Sequence, residues 1–191
     1  MALRHIVVEG PDGSGKTNMV NRLHETFGFP IHTRASRSTT GPLERVDLWA
    51  AHDVDTMADQ PPSVYDRHPV ISEPIYASLA RNEMPHGSFI DPVWRKTMRA
   101  NMAPHALLII CMPPLTVVEK NVMETSDNQM PGVLRNITAI YHAYRQAWDL
   151  WPGYARWWNY TTNHTGAGYE RLAVDIIKMM AISAVGPVNM L

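Results

Sequence analysis

The run Gly10-Pro-Asp-Gly-Ser-Gly15-Lys16-Thr17 fits the spacing G-x-x-x-x-G-K-[ST]. Glycines at these intervals let successive backbone N–H groups turn inward around the oxygens of a phosphate chain. A lysine after the last glycine reaches the β- and γ-phosphates, and a following threonine hydroxyl ligates Mg²⁺. The stretch Gly10, Pro11, Asp12, Gly13, Ser14, Gly15, Lys16 and Thr17 is therefore expected to cradle ATP, with Lys16 as a catalytic cation and Thr17 as a magnesium ligand. Such a loop works between a strand and a helix. Ile6-Val7-Val8 reads as the strand, and Met19, Val20, Leu23 and Phe27 form the stripe of a helix opening at Lys16. Gly28 stands where a C-terminal cap belongs, and Pro30 follows.

A second chemical pair is Asp66-Arg67, at the end of a strand read over Ser63-Val64-Tyr65. Doubly wound sheets bind ligands at the carboxyl ends of their strands. An acid beside a base there suits a small-molecule kinase, with Asp66 holding a magnesium water and Arg67 an anionic acceptor. A switch GTPase needs an Asn-Lys-x-Asp motif, which the chain lacks. A motor ATPase needs a longer chain. The nine histidines are scattered without metal-ligand spacing, and the six tryptophans read as packing residues, Trp49 on the acceptor side being the one to watch.

The elements that must position these residues follow from patterning. The 191 residues predict a single domain over 1–191, with 45% hydrophobic and 18% charged residues, as in ordinary globular proteins. Short apolar runs alternate with amphipathic segments, so the fold class is α/β: a five-stranded parallel sheet with helices on both faces. Ala106 to Cys111 is the strand buried on both faces. Strands are also expected at Ile31 to Thr33 and Arg156 to Tyr160, and a helix near 42–58. Residues 71–102 read as mostly helical, broken by prolines at 74, 85 and 92. Two later helices carry Val133, Ile137, Ile140, Tyr141, Tyr144 and Trp148, and then Tyr169, Leu172, Ala173, Ile176, Ile177 and Met180. The apolar run from Ala106 to Met112 is too short for a membrane span. A net charge of −1 argues against a nucleic-acid coating protein without excluding a local basic groove. Thirteen arginines against four lysines point weakly to anionic ligands. One cysteine and the absence of a signal-like opening predict a cytoplasmic protein.

The phrase Val8-Glu9-Gly10-Pro11-Asp12-Gly13-Ser14-Gly15-Lys16-Thr17 resembles the phosphate loop of thymidylate kinases, including the acid inside it. Thr33-Arg34 is similar to their Thr-Arg-Glu-Pro segment, with Ala35-Ser36 in place of Glu-Pro. Asp66-Arg67 resembles their Asp-Arg-Tyr, with His68 for Tyr, and Ser72 and Tyr76 keep a family spacing shifted by one residue. Tyr65 to Tyr76 and Asp127-Asn-Gln-Met-Pro-Gly-Val133 look like phage-encoded relatives. The resemblance is specific over 5–81, looser over 105–150 and generic beyond. It implies the P-loop nucleotide-kinase fold with a short lid at about 121–132. It further implies that Asp12 contacts the acceptor sugar or takes the proton of a hydroxyl acceptor, that Arg67, Arg34 and Tyr76 hold the acceptor, and that Asp66 organises Mg²⁺ with Thr17. Arg135 follows the lid as a further catalytic candidate.

Two departures bear on function. The loop positions Pro11, Asp12, Gly13 and Ser14 contain no arginine, and segment 121–132 contains neither Arg nor Lys. The family's Gln after the acceptor-site Tyr is Ala77 here. The leading reading is a phage deoxynucleoside monophosphate kinase moving the γ-phosphate of ATP to a thymidine-type acceptor. A second is a phage kinase acting on the hydroxymethyl group of 5-hydroxymethyl-deoxyuridine in DNA, a thymine hypermodification. A third is a non-catalytic nucleotide-binding module. The partners are then a small-molecule nucleotide, or hydroxymethyluracil-containing DNA under the second reading. No membrane partner is expected, a homodimer stays open, and a phage-encoded chain would work in the host cytoplasm.

Overall fold

The computed structural model describes residues 3–32, 45–163 and 166–185. Five strands form one all-parallel sheet: β1 (His5–Glu9), β2 (Ile31–His32), β3 (Val64–Asp66), β4 (Ala106–Cys111) and β5 (Ala155–Trp158), in the order β2-β3-β1-β4-β5. The first strand pairs with β3 on one side and β4 on the other, placing Val8 opposite both Asp66 and Ile109. Successive side chains of a strand point to opposite faces. Accordingly Val7, Leu108 and Ile110 enter one core, while Ile6, Val8, Leu107 and Ile109 enter the other.

The helices divide between these faces. α1 (Lys16–Phe27) and α7 (Gly166–Val185) cover the second core through Met19, Leu23, Leu172 and Ile176. The first core lies under α2 (Val46–Thr56), α3 (Pro69–Leu79), α4 (Pro92–Met102), α5 (Leu115–Glu124) and α6 (Pro131–Asp149). Gly28 caps α1, its N–H reaching the His24 carbonyl at 2.8 Å. All of β1 and β4 is buried. No helix among the described residues is long and apolar enough to cross a membrane.

Three expectations need correction. Pro74 does not break its helix: α3 runs through it, because only the bond to the Val70 carbonyl is forfeited while buried Val70, Ile71, Ile75 and Tyr76 hold the helix on the core. The last strand starts one residue earlier and ends two earlier than the apolar pattern suggests. Asn159 Oδ1 accepts the Thr161 N–H at 3.0 Å and its hydroxyl at 2.8 Å, turning the chain before Tyr160 can continue the ladder. In α7, Ile177 is 56% exposed, and Met179 takes its place in the stripe after Leu172 and Ile176. Thr33 and Arg34, the polar loop to Gly41 and the start of the helix expected near 42–58 fall outside the described residues; the remainder of that helix is α2.

Candidate active site

The loop between β1 and α1 is shaped by left-handed backbone. Gly13 and Gly15 have φ of 74° and 82°, values that cost a side-chain-bearing residue strain. Space matters as well, because a Cβ on Gly15 would stand 3.0 Å from the Tyr160 ring. Asn121 ties this wall together, its amide donating to the Gly13 carbonyl and to the Tyr160 hydroxyl, both at 2.7 Å. Lys16 is buried and its Nζ donates to the Pro11 carbonyl at 2.6 Å. Burial, and then the nearby Arg67 charge, lower its pKa to about 8. Ser14 Oγ is buried without a hydrogen-bond partner among the described residues. Such a cradle, with an ammonium folded onto its own loop and a hydroxyl lacking an acceptor, fits a chain of phosphate oxygens.

The cavity over this loop measures 780 Å³, and Asp12, Lys16, Thr17, Asp66 and Arg67 all line it. These come from the phosphate loop and the end of β3, which sheet register sets side by side. Thr17 and Asp66 both line the cavity and offer hard oxygens, a hydroxyl and a carboxylate, a donor set suited to Mg²⁺ whose other ligands would be waters and phosphates. Asn121, Thr125, Asn128 and Gln129, all from the segment expected as a lid, form an uncharged wall. Its first residues, 121–124, are the last turn of α5.

Asp12, Arg67 and Tyr76 close a triangle. Arg67 Nη2 donates to Asp12 Oδ1 and to the Tyr76 hydroxyl, each at 2.7 Å, and that hydroxyl donates to Asp12 Oδ2 at 2.7 Å. The guanidinium also lies 4.5 Å over the Tyr76 ring. Burial alone would raise the Asp12 pKa; Arg67, Lys16 and the Tyr76 hydroxyl outweigh it and hold the carboxyl at about 2. Arg67 has φ 68°, a left-handed conformation that costs a non-glycine residue about 1–3 kcal/mol. Bonds on both sides maintain it: Arg67 N–H donates to the Val8 carbonyl at 3.0 Å and His68 N–H to Glu9 Oε1 at 2.7 Å. The Val70 N–H donates to His68 Nδ1 at 3.3 Å, so the ring proton sits on Nε2 and is donated to Asp53 Oδ2 at 3.1 Å.

Of the remaining expected residues, Gly10 and Pro11 are buried in the loop, and Gly10 packs against the Cys111 carbonyl. Arg135 lies near the start of α6, exposed and not among the residues lining the cavity. Arg34 is outside the described residues. Trp49 is 36% exposed, with its ring 5.9 Å from His68.

Sequence reasoning missed several participants. Glu9 is fully buried at the end of β1, and burial raises its pKa to about 7 against the opposing His68 N–H and the charges of Arg67 and Lys16. Its Oε2 has no hydrogen-bond partner among the described residues. Arg22 of α1 also lines the cavity, 3.8 Å over the Tyr169 ring, and so brings a third cation there with Lys16 and Arg67. Nothing in the spacing marks Asn121, Tyr160 or Asp53, whose contacts join residues distant in sequence.

Neither a protein-family model nor a curated protein matches this chain. Solved structures do match its fold. The YorR protein of Bacillus subtilis, in complex with phosphorylated GDP, superposes with a TM-score of 0.67 at 19% identity, over 94% of this chain and 97% of its own. Deoxyadenosine kinase from M. mycoides with bound dCTP gives 0.57 at 10% identity, over 91% and 99%. Shikimate kinase from Acinetobacter baumannii, in complex with shikimate, gives 0.50 at 13% identity, over 94% and 93%. The parallel sheet, its flanking helices and the glycine-rich turn after β1 give this chain the α/β fold of P-loop kinases.

Proposed function

We infer that the protein is an ATP-dependent phosphotransferase acting on a deoxynucleoside monophosphate, with a thymidine-type acceptor as the first candidate. The observation that carries this reading is the Asp12–Arg67–Tyr76 triangle beside Lys16. A nucleophile that is already a phosphate dianion needs no base. An oxygen of the acceptor phosphate attacks the γ-phosphorus, the bond to the β–γ bridging oxygen breaks, and ADP leaves with that electron pair. A hydroxyl acceptor must also lose a proton, and a carboxylate held at about 2 is a weak base for it. Glu9 would be a stronger base, but it is fully buried and does not line the cavity. This favours a nucleotide phosphate over the hydroxymethyl group of modified DNA.

In this reading Arg67 holds the acceptor phosphate while Asp12 and Tyr76 fix the guanidinium in place. Lys16 and the loop N–H groups steady the donor phosphates. Magnesium held by Thr17 and Asp66 would offset phosphate charge. Arg135 and Arg34 remain candidates for further positive charge near the transferred group. The nucleotides bound by the YorR protein and by deoxyadenosine kinase support a small nucleotide ligand here.

The test is transfer of label from γ-labelled ATP with Mg²⁺, with deoxynucleoside monophosphates and DNA containing 5-hydroxymethyl-deoxyuridine offered in parallel and Lys16→Ala as control. Label in a nucleoside diphosphate is expected. Label fixed in DNA with free nucleotides untouched would overturn the assignment, and tight ATP binding without turnover would favour a non-catalytic module. Arg67→Lys keeps the charge but loses the planar group that bonds Asp12 and Tyr76 through Nη2 while leaving other N–H donors for an acceptor phosphate, and should lower kcat/KM by roughly 10²- to 10³-fold.

A further inference from the structure

A second cavity, of 640 Å³, opens between α3, α4 and α6, and it shares no lining residue with the cavity over the phosphate loop. Its size falls in the range of small-molecule sites. Its charge is one-sided: Arg95, Lys96 and Arg99 line it, and no Asp or Glu does. None of these three makes an ion pair among the described residues, and Arg99 Nε is buried without a hydrogen-bond partner. Burial, and then the neighbouring Arg95 charge, push the Arg99 guanidinium below its ordinary value. The three cations fall within little more than one turn of one helix, and the acid that acts on Arg99, Glu9, does not line the cavity, so this wall favours an anion.

The rest of the cavity is mostly apolar, Ser78 and Gln146 being its uncharged polar residues. Ile75 and Leu79 of α3 face Ala143 and Ala147 of α6, with Gln146 as an uncharged polar group between the walls. Past Ala100 and Pro152 the surface continues into a shallower hollow lined by Ala103, Pro104 and Tyr154. Along α4 the charged positions 95, 96 and 99 thus precede the small apolar positions 100 and 103 on one helix face. A ligand that fits must carry its charge at one end only.

We propose that the groove between α3, α4 and α6 is a second ligand site, for a small amphipathic anion whose phosphate or carboxylate sits on Arg95, Lys96 and Arg99 and whose apolar body lies toward Ala100 and Pro152. The site does not depend on the kinase assignment. Its probe is 1-naphthyl phosphate, a flat apolar body with a single phosphate, titrated calorimetrically into the whole chain. Lys96→Glu changes an exposed side chain and should weaken binding at least tenfold, as should Arg99→Gln, whereas Lys16→Ala should leave the affinity within about twofold. 1-Naphthol, which lacks the phosphate, should bind at least tenfold more weakly. Binding that survives Lys96→Glu, or that disappears in Lys16→Ala, would overturn the proposal. So would sedimentation showing a dimer that Lys96→Glu dissociates, since a second copy would then be what fills the groove.

Discussion

Glu9 sits where two demands conflict. Its Oε1 must accept the His68 N–H to hold the turn that carries Arg67, yet its full burial penalises the charge that makes it a good acceptor. With a folded-state pKa of about 7 against an ordinary 4.5, the carboxyl binds its proton more tightly when folded. That contribution to stability is complete below pH 4.5 and is lost as pH rises through 7, a change on the order of 3 kcal/mol. Glu9→Gln keeps an acceptor oxygen without the charge. Urea unfolding without nucleotide should therefore show the variant gaining on the wild type between pH 4.5 and 8, with the difference flat below that window. None of this is visible in the sequence, where Glu9 is one more residue beside a glycine-rich loop. That Asp12, Lys16, Thr17, Asp66 and Arg67 share one cavity was legible, because it follows from local spacing and from a strand's carboxyl end. Glu9 and Asp53 were not, since their partners stand 59 and 15 residues away.

The elements were largely readable where periodicity and flanking prolines agreed. The buried run of β4 lies between Pro104 and Pro113, and α6 keeps Val133, Ile137, Ile140 and Tyr144 inward. Boundaries failed where a side chain outbid the pattern, as Asn159 does at the end of β5. A helix contact that no pattern announces joins α3 to α6. A Cβ on Gly132 would overlap the Ala80 carbonyl oxygen, and Asn136 Nδ2 bonds the Leu79 carbonyl at 2.7 Å. Gly132→Ala must push the first turn of α6 off the end of α3, and should cost about 2–4 kcal/mol by denaturant unfolding. Gly166→Ala is its control, because the nearest atom to a Cβ there is the Glu170 carboxylate at 3.7 Å and the change should be within about 0.5 kcal/mol.

At the scale of the whole molecule, the sheet presents its carboxyl edge to the cavity proposed to take ATP, so ligand binding there would be linked to global stability. ATP with Mg²⁺ at a hundredfold excess over its Kd should stabilise the protein by about 2.7 kcal/mol, a Tm rise of roughly 5–10 °C that Lys16→Ala removes. Scanning fluorimetry reads both. The same sheet hides the chain's single thiol at its centre. Cys111 is wholly inaccessible at the end of β4, with burial pushing its pKa up to about 12. A disulfide reagent therefore finds no reactive thiolate in the folded protein and must wait for the central strands to separate. The rate at which this one sulfur is captured becomes a clock for complete opening, built into the native sequence, and it should slow whenever nucleotide is bound.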